Sequence, residues 1–404
     1  MKKSIFRAVG IATIVAAFYI GCGDGGKTVP GHNLAEKLAW LQTNVQSNSD
    51  YVLEVKADES IMFQTLSYKD RSNIIITLRG IGSNRTVNLS ANGSMFDIRY
   101  GVTLVLDSNI ILQGRSNNTN ALIRVDSGGT LKINTGSVIT NNNGSGVYVG
   151  VGVFDMNGGT ISGNNGSGVV IKAGTFTMNG GTISSNSGSG VYVGDDGSFT
   201  MNDGDISGNN SSGVAIGQGI FTMNSGLISG NKDNYKGGGV YVNDGGNFAM
   251  NGGTISDNTI EGYGISYCGG GVYVEQRGTF TMSGGTISGN AAFNGGGVYV
   301  ERGTFTMSGG TISKNTAAYK GGGVAMERGT SFILNNGTIT GYNSNPNDGN
   351  VVRSKDGNVL SNSGHAVCIY NSYNGTTVNR KETTAELKDN LSYNNGKFSG
   401  AWDN

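Results

Sequence analysis

Few side chains in this 404-residue sequence are placed to do chemistry. Carboxylates gather most densely at Asp195, Asp196, Asp203 and Asp205, with Asp155 expected one or two structural repeats away. Clustered carboxylate oxygens suit a hard cation; the simpler reading is solvated turn carboxylates. His32 lies in a polar N-terminal stretch. His365 sits near Cys368 without a matching Ser or Asp constellation. Cys22, Cys268 and Cys368 lack metal-ligand spacing, and no serine sits in a nucleophile elbow. Gly237-Gly238-Gly239 and similar triplets lack the flanks of a phosphate-binding loop. No catalytic residue, cofactor or metal is expected.

Aromatic side chains are more informative. Tyr235, Tyr263, Tyr267, Phe293 and Tyr319 fall in turns of unequal length, at residues 231–239, 258–271, 290–297 and 315–323, with Lys236 and Lys320 beside them. A second set, Tyr148, Tyr192, Tyr241, Tyr273 and Tyr299, occupies the outward position of short strands. Tyrosine combines an apolar face with a polar tip, so both sets are candidate binding surfaces for sugar rings or a protein patch. The bland alternative is strand propensity and edge shielding. Glu275, Glu301 and Glu327 follow the same strands, and Arg277, Arg302 and Arg328 are expected to interleave with them on a solubilising face.

A repeat positions these residues. The pattern Phe-x-Met-Asn-Gly-Gly-Thr-Ile-Ser aligns Met156, Met178, Met201, Met223, Met250, Met282 and Met307, then Leu334, at spacings of 22, 23, 22, 27, 32, 25 and 27; Ile133 and Leu106 extend the column upstream. Each repeat holds three short strands of period two, such as Thr279–Met282, Thr286–Ser288 and Val272–Val274. Asparagine recurs eight residues after each column position, from Asn141 and Asn164 to Asn290 and Asn315, which suits a tight turn and an amide ladder. A period near 22 with three strands fits one coil of a parallel β-helix. The expected fold is all-β, a single-stranded parallel β-helix of about ten coils over residues 51–340. An amphipathic helix over 33–50, with Leu34, Leu38, Leu41 and Val45 on one face and Asn33 as N-cap, would close its first end. Residues 341–404 are expected to form a last coil around Ala366–Ile369 and a cap running through Trp402.

Composition excludes other classes. With 71 Gly but only 2 Pro the chain is not collagenous. Lys+Arg and Asp+Glu are 28 each, so no nucleic-acid partner is expected. Residues 1–21 read as a secretory signal: Lys2, Lys3 and Arg7, then an apolar run from Val9 to Ile20. Cys268 and Cys368 fall several coils apart and are expected to be free thiols.

The segment Tyr19-Ile20-Gly21-Cys22 resembles a bacterial lipoprotein processing site, with Tyr19 where Leu is usual. It implies lipidation at Cys22, a flexible tether over 22–32, and a membrane partner through the lipid. The repeats resemble those of the polymorphic outer membrane protein family, whose marks are GGA[ILV] and FxxN. FxxN stands at Phe154–Asn157, Phe176–Asn179, Phe199–Asn202, Phe221–Asn224, Phe248–Asn251 and Phe332–Asn335; Ser283 and Ser308 depart from it, and Gly-Gly-Gly-Val replaces the partner motif. This resemblance covers roughly residues 130–340. It implies a right-handed coil and an exported, adhesin-like protein of the outer membrane or cell surface that meets a glycan or host protein. The family's membrane barrel has no counterpart in the 64 residues after Thr340. A structural surface coat without a specific ligand is the first alternative. The fold is also similar to the pectin-lyase-like group, making a polysaccharide lyase or hydrolase the second, although NTD, GHG and RIK signatures are absent.

Overall fold

A computed structural model describes residues 26–327, 329–342, 345–360 and 365–369, and the backbone of the strands at 377–380, 392–394 and 397–399. The signal segment, Cys22, Arg328 and Trp402 lie outside the described residues.

Alternating apolar residues in each short strand turn inward, and the same residue type returns once per coil. The product is a parallel β-solenoid with one helix among the described residues. The sheet containing the Val columns has twelve strands, one per turn. In one coil these strands are Thr279–Met282, Thr286–Ser288 and Val272–Val274, as the sequence pattern requires. Like pairs with like: Phe154 faces Phe176, Ile161 faces Ile183, and Val240 faces Val272. Phe154, Phe176, Phe199, Phe221, Phe248, Phe280, Phe305 and Phe332 form one buried stack, with neighbouring centroids 4.5–5.1 Å apart. Stacked aromatics of this kind contribute about 0.5–1.5 kcal/mol per pair beyond burial.

The asparagine column is an amide ladder, but its first members differ from expectation. Asn118 and Asn142 are buried and occupy it, while Asn141 is exposed at φ 56°. From Asn164 onward each Nδ2 donates to the next Oδ1 at 2.8–3.0 Å, through Asn186, Asn209, Asn231, Asn258, Asn290 and Asn315 to Asn350. From Asn142 to Asn315 the left-handed backbone belongs to the residue before each ladder member, such as Gly163, Ser185, Gly208 or Lys314. The ladder asparagine itself points inward, where its amide needs partners.

A second, exposed ladder runs along the FxxN asparagines. Asn179, Asn202, Asn224 and Asn251 each donate to the asparagine one coil earlier at 2.8–3.0 Å. Ser283 continues it by donating to Asn251 at 2.9 Å, so the serine departure keeps the bond.

The triplets open the third strand. Gly237, Gly269, Gly295 and Gly321 have φ of 61–73°, and a Cβ on Gly239 would stand 2.5 Å from the Gly271 carbonyl oxygen. Only glycine meets both constraints.

The coil stack extends further at both ends than the repeat suggests. Helix α1, Leu34–Asn44, is capped by Asn33, whose Oδ1 accepts the Glu36 N–H at 2.8 Å. It buries Leu34, Leu38 and Leu41 over the first coil. Strand β1, Lys27–Thr28, pairs with β2, Ser49–Val55, while β3, Glu59–Ile61, and β4, Gln64–Leu66, complete the coil. The described part of the expected tether is therefore partly built into the fold. Val29 is buried and its N–H donates to the Val52 carbonyl at 3.0 Å, because the first coil offers an open edge. At the other end Val351–Val352, Val367–Ile369 and Thr377–Arg380 pair onto the preceding coil, so the repeat does not stop at Gly341.

Candidate binding surface

The extra residues of the longer repeats are part strand and part loop, with Tyr235, Tyr263, Ile265 and Tyr267 in the loops. Lys232–Asp233, Thr259–Ile260, Ala291–Asn294, Thr316–Lys320 and Val351–Val352 form a five-stranded parallel sheet at one corner of the solenoid. The variable segments thus share one edge, as their common place in the repeat predicts.

All five turn aromatics lie on this edge and contact one another across coils. Tyr235 stacks on Tyr267 with centroids 5.9 Å apart, Phe293 stacks on Tyr319 at 5.4 Å, and Tyr263 meets Phe293 edge-on at 4.8 Å. Tyr235 and Tyr263 are 64 % and 59 % exposed; Tyr267 and Phe293 are half-buried. Tyr267 lies against Gly262, where any side chain would collide with its ring. Sequence reasoning passed over Ile265, exposed between Tyr263 and Tyr267, and Lys355, whose Nζ stands 5.8 Å from the Tyr263 centroid. Lys320 lies 5.1 Å from the Tyr319 centroid. An apolar residue beside the two tyrosines was the available signal for Ile265. Lys355 lies beyond the recognised repeats and offered none.

The outward Tyr column behaves differently. Tyr273 and Tyr299 are only 1 % and 3 % exposed, and Tyr241 is partly buried, so these three are not a free stacking surface. They point away from the main core, but the long corner turn folds back over them. Tyr273, Tyr299, Cys268 and Ala325 form a second small core with Tyr241 at its rim. In the shorter repeats the roof is missing, and Tyr192 is exposed.

The hydroxyls of this column engage the Glu column. Tyr241 donates to Glu275, Tyr273 to Glu301, and Tyr299 to Glu327 Oε1. Lys236 Nζ lies 2.9 Å from Glu275, 3.8 Å from Glu301 and 4.7 Å from the Tyr273 centroid. Arginines do not simply alternate with the glutamates: Arg302 pairs with Glu301, whereas Arg277 reaches back to Asp244 at 2.7 Å. Burial and then the neighbouring glutamate push the Tyr273 phenol far above its ordinary value. Burial alone would raise the Glu301 carboxyl, but the Tyr273 hydroxyl and the Arg302 and Lys236 cations hold it below the usual range. Burial pushes the Cys268 thiol up to about 12; among the described residues Cys268 and Cys368 form no disulfide.

The acidic residues stay apart. Asp155 faces Thr177, which faces Thr200, and its partner is Lys132 at 3.6 Å. Asp203 accepts the Gly204 N–H, Asp205 accepts the Ser207 hydroxyl, and Asp195 faces the Gln218 N–H. Among the described residues no three His, Cys, Asp or Glu side chains come together to hold a metal. His365 is buried, and its Nδ1 accepts the Val352 N–H at 3.0 Å, a structural role in the last coil. No protein-family model, curated protein or solved structure matches this chain.

Proposed function

We propose that this chain is an exported, lipid-anchored surface protein that binds a glycan or a host protein at the variable-turn edge without catalysing a reaction. The observation that carries the reading is the joining of Tyr235, Tyr263, Ile265 and Tyr319, all exposed, into one edge by a sheet whose strands differ in length. Exposed apolar residues gathered on a scaffold that tolerates length changes are the usual ground of recognition. Lys320 and Lys355 add positive charge there, which favours an anionic partner. The anchor is the lipid on Cys22, and the resemblance to the outer membrane protein repeats supports the surface location.

The test replaces the three exposed tyrosines together, Tyr235→Ala, Tyr263→Ala and Tyr319→Ala, in the mature chain. Binding to host matrix, cells or a glycan and protein array should fall at least tenfold with unchanged melting. Undiminished binding would sink the reading. A surface coat without a ligand is favoured instead by the burial of Tyr273 and Tyr299, which gives part of the aromatic set a packing role; it expects a silent array. The polysaccharide-active alternative would require Asp155, Asp203 and Asp205 to share one groove with a base.

A further inference from the structure

The chain enters the solenoid at one corner. Strand β1 pairs with β2, and Gly26 lies against the Asp50 backbone. From Cys22 to Gly26 is four peptide steps, which reach at most about 14 Å. A lipid on Cys22 therefore holds this corner beside the bilayer, at an effective concentration of the order of millimolar. Weak contacts with the lipid surface then suffice to seat it.

The same corner runs along the axis as the turns at 67–73, 99–101, 126–129, 150–152 and 172–174, one at the end of each of the first five coils. Backbone hydrogen bonds join them. The Asn48 N–H donates to the Ser72 carbonyl at 3.1 Å, Ile74 to Gly101 at 2.9 Å, Gly101 to Gly128 at 3.2 Å, Val153 to Gly129 at 3.0 Å and Ala173 to Gly150 at 2.9 Å. On this line Tyr100 is 72 % exposed, Val151 63 % and Val153 41 %. The Tyr100 ring leans over Gly128, where a Cβ would stand 2.8 Å from its Cδ2, so it covers the coil between the two apolar positions.

Charge is distributed along the corner as well. The five turns hold Lys69, Arg71, Arg99 and Lys172 against Asp70 and Asp126, while Lys27 and Asp50 offset each other at the anchored end. Lys69, Arg71 and Lys172 are exposed. The next turn, 194–197, reverses the sign with Asp195 and Asp196.

We propose that this corner of the first five coils is a membrane-docking surface, a proposal that rests on the lipid-anchor reading above. Tyr100, Val151 and Val153 enter the interfacial layer of the bilayer, and Lys69, Arg71 and Lys172 meet anionic headgroups. Two observations select a lipid surface as the occupant. The anchored end of the chain opens onto this corner, and the exposed apolar residues stand among cations. Asp195 and Asp196 mark where an anionic surface ceases to attract the corner. In each coil the strand with the Val column lies between this turn and the variable turn, so the variable edge, on later coils, stays clear of the lipid.

The test uses the lipid-bearing mature chain in vesicles of phosphatidylethanolamine and phosphatidylglycerol, with and without bromine on the acyl chains. Tyr100→Trp adds an indole to the baseline of Trp40 and Trp402. Brominated lipid should quench at least half of that added emission. Tyr235→Trp, at the variable edge, should lose none. Val151→Asp with Lys172→Glu, added to Tyr100→Trp, should recover at least half of the loss at unchanged melting temperature; both positions are exposed. Equal quenching of the Tyr100→Trp and Tyr235→Trp chains overturns the proposal, and so does quenching that the two charge changes leave as it was. A Cys22→Ser chain that dimerises in sedimentation equilibrium, and loses the dimer with Val151→Asp, assigns the corner to a second copy and overturns it too. Mass spectrometry separates the two readings. A chain with no acyl group on Cys22 removes the anchor and this proposal together, whereas an acylated chain without differential quenching removes the docking corner alone.

Discussion

The Tyr299 hydroxyl donates to Oε1 of Glu327 at 2.5 Å, although the two residues are 28 positions apart. The same pairing joins Tyr273 to Glu301 and Tyr241 to Glu275, so a tyrosine from one coil is bolted to the glutamate of the next. The Tyr273 and Tyr299 rings pack with Cys268 of the corner turn that carries the exposed aromatics. The small core of Tyr273, Tyr299, Cys268 and Ala325 is thus the foundation of the candidate binding edge.

Removing one bolt should loosen the edge before the solenoid. Tyr299→Phe keeps the ring stack and deletes the charged hydrogen bond, at a cost of about 1–3 kcal/mol. Tyr299→Ala opens a cavity and costs about 3–5 kcal/mol. Urea unfolding measures both. The pH dependence has a definite sign. Burial, followed by the adjacent glutamates, raises the Tyr241 and Tyr273 phenols; burial leads for Tyr299 as well. The folded chain therefore keeps protons that the unfolded chain releases above about pH 10. Stability is fully present below that pH and falls above it, less steeply in Tyr299→Phe.

Asp205 should respond in the acid range. Burial raises its carboxyl above the ordinary value, with the Ser207 hydroxyl opposing, and one oxygen has no partner. The folded chain binds the proton more tightly, so stability falls as pH rises through the raised value. Asp205→Asn should melt higher than the parent at neutral pH, and the difference should shrink on acidification. Thermal melts from pH 3 to 8 that show a constant gap would refute this.

Asn209 sits in the middle of the buried ladder. It accepts from Asn186 and donates to Asn231 and to the Ile183 carbonyl at 2.9–3.2 Å. Asn209→Ala strands at least two buried groups, each costing about 1–3 kcal/mol. Hydrogen exchange should rise first in the coils of Asn186 and Asn231 and remain low near Phe96. Uniform exchange across the solenoid would show that the ladder is not a local clamp.

The helix cap is open to the same treatment. Leu38 and Leu41 are buried over the first coil. Replacing both by Asp should cost more than about 5 kcal/mol and expose an unpaired strand edge that promotes aggregation. A double variant that stays monomeric with unaltered melting would show that α1 is not needed as a cap.

The core was legible because a coil stack repeats one decision. Alternation in Thr279–Met282 and the spacing of the Phe and Met columns specify inward faces with no reference to distant sequence. Two things were hidden. Asn141 and Asn142 are both asparagine, and only the geometry of the turn decides which enters the ladder. The burial of Tyr273 and Tyr299 depends on a turn from another part of the repeat folding over them; strand alternation reports which side a residue takes, not what later covers that side. Lys27 and Thr28 were hidden for a similar reason. A two-residue strand has no period to read, and only the open edge of Ser49–Val55 recruits it.

Because the strands of each coil pair only with those of its neighbours, the solenoid is also a mechanical chain of links in series. Tension applied at the N-terminus loads the pairing of Lys27 and Thr28 on Tyr51 and Val52 first, and then each coil in turn. A released coil of 22 residues adds up to about 70 Å of contour length. Under pulling, the molecule should extend in discrete steps, with distal coils and their variable edge still folded while proximal ones yield. A partner held at that edge would then be released late, after much of the strain had been absorbed.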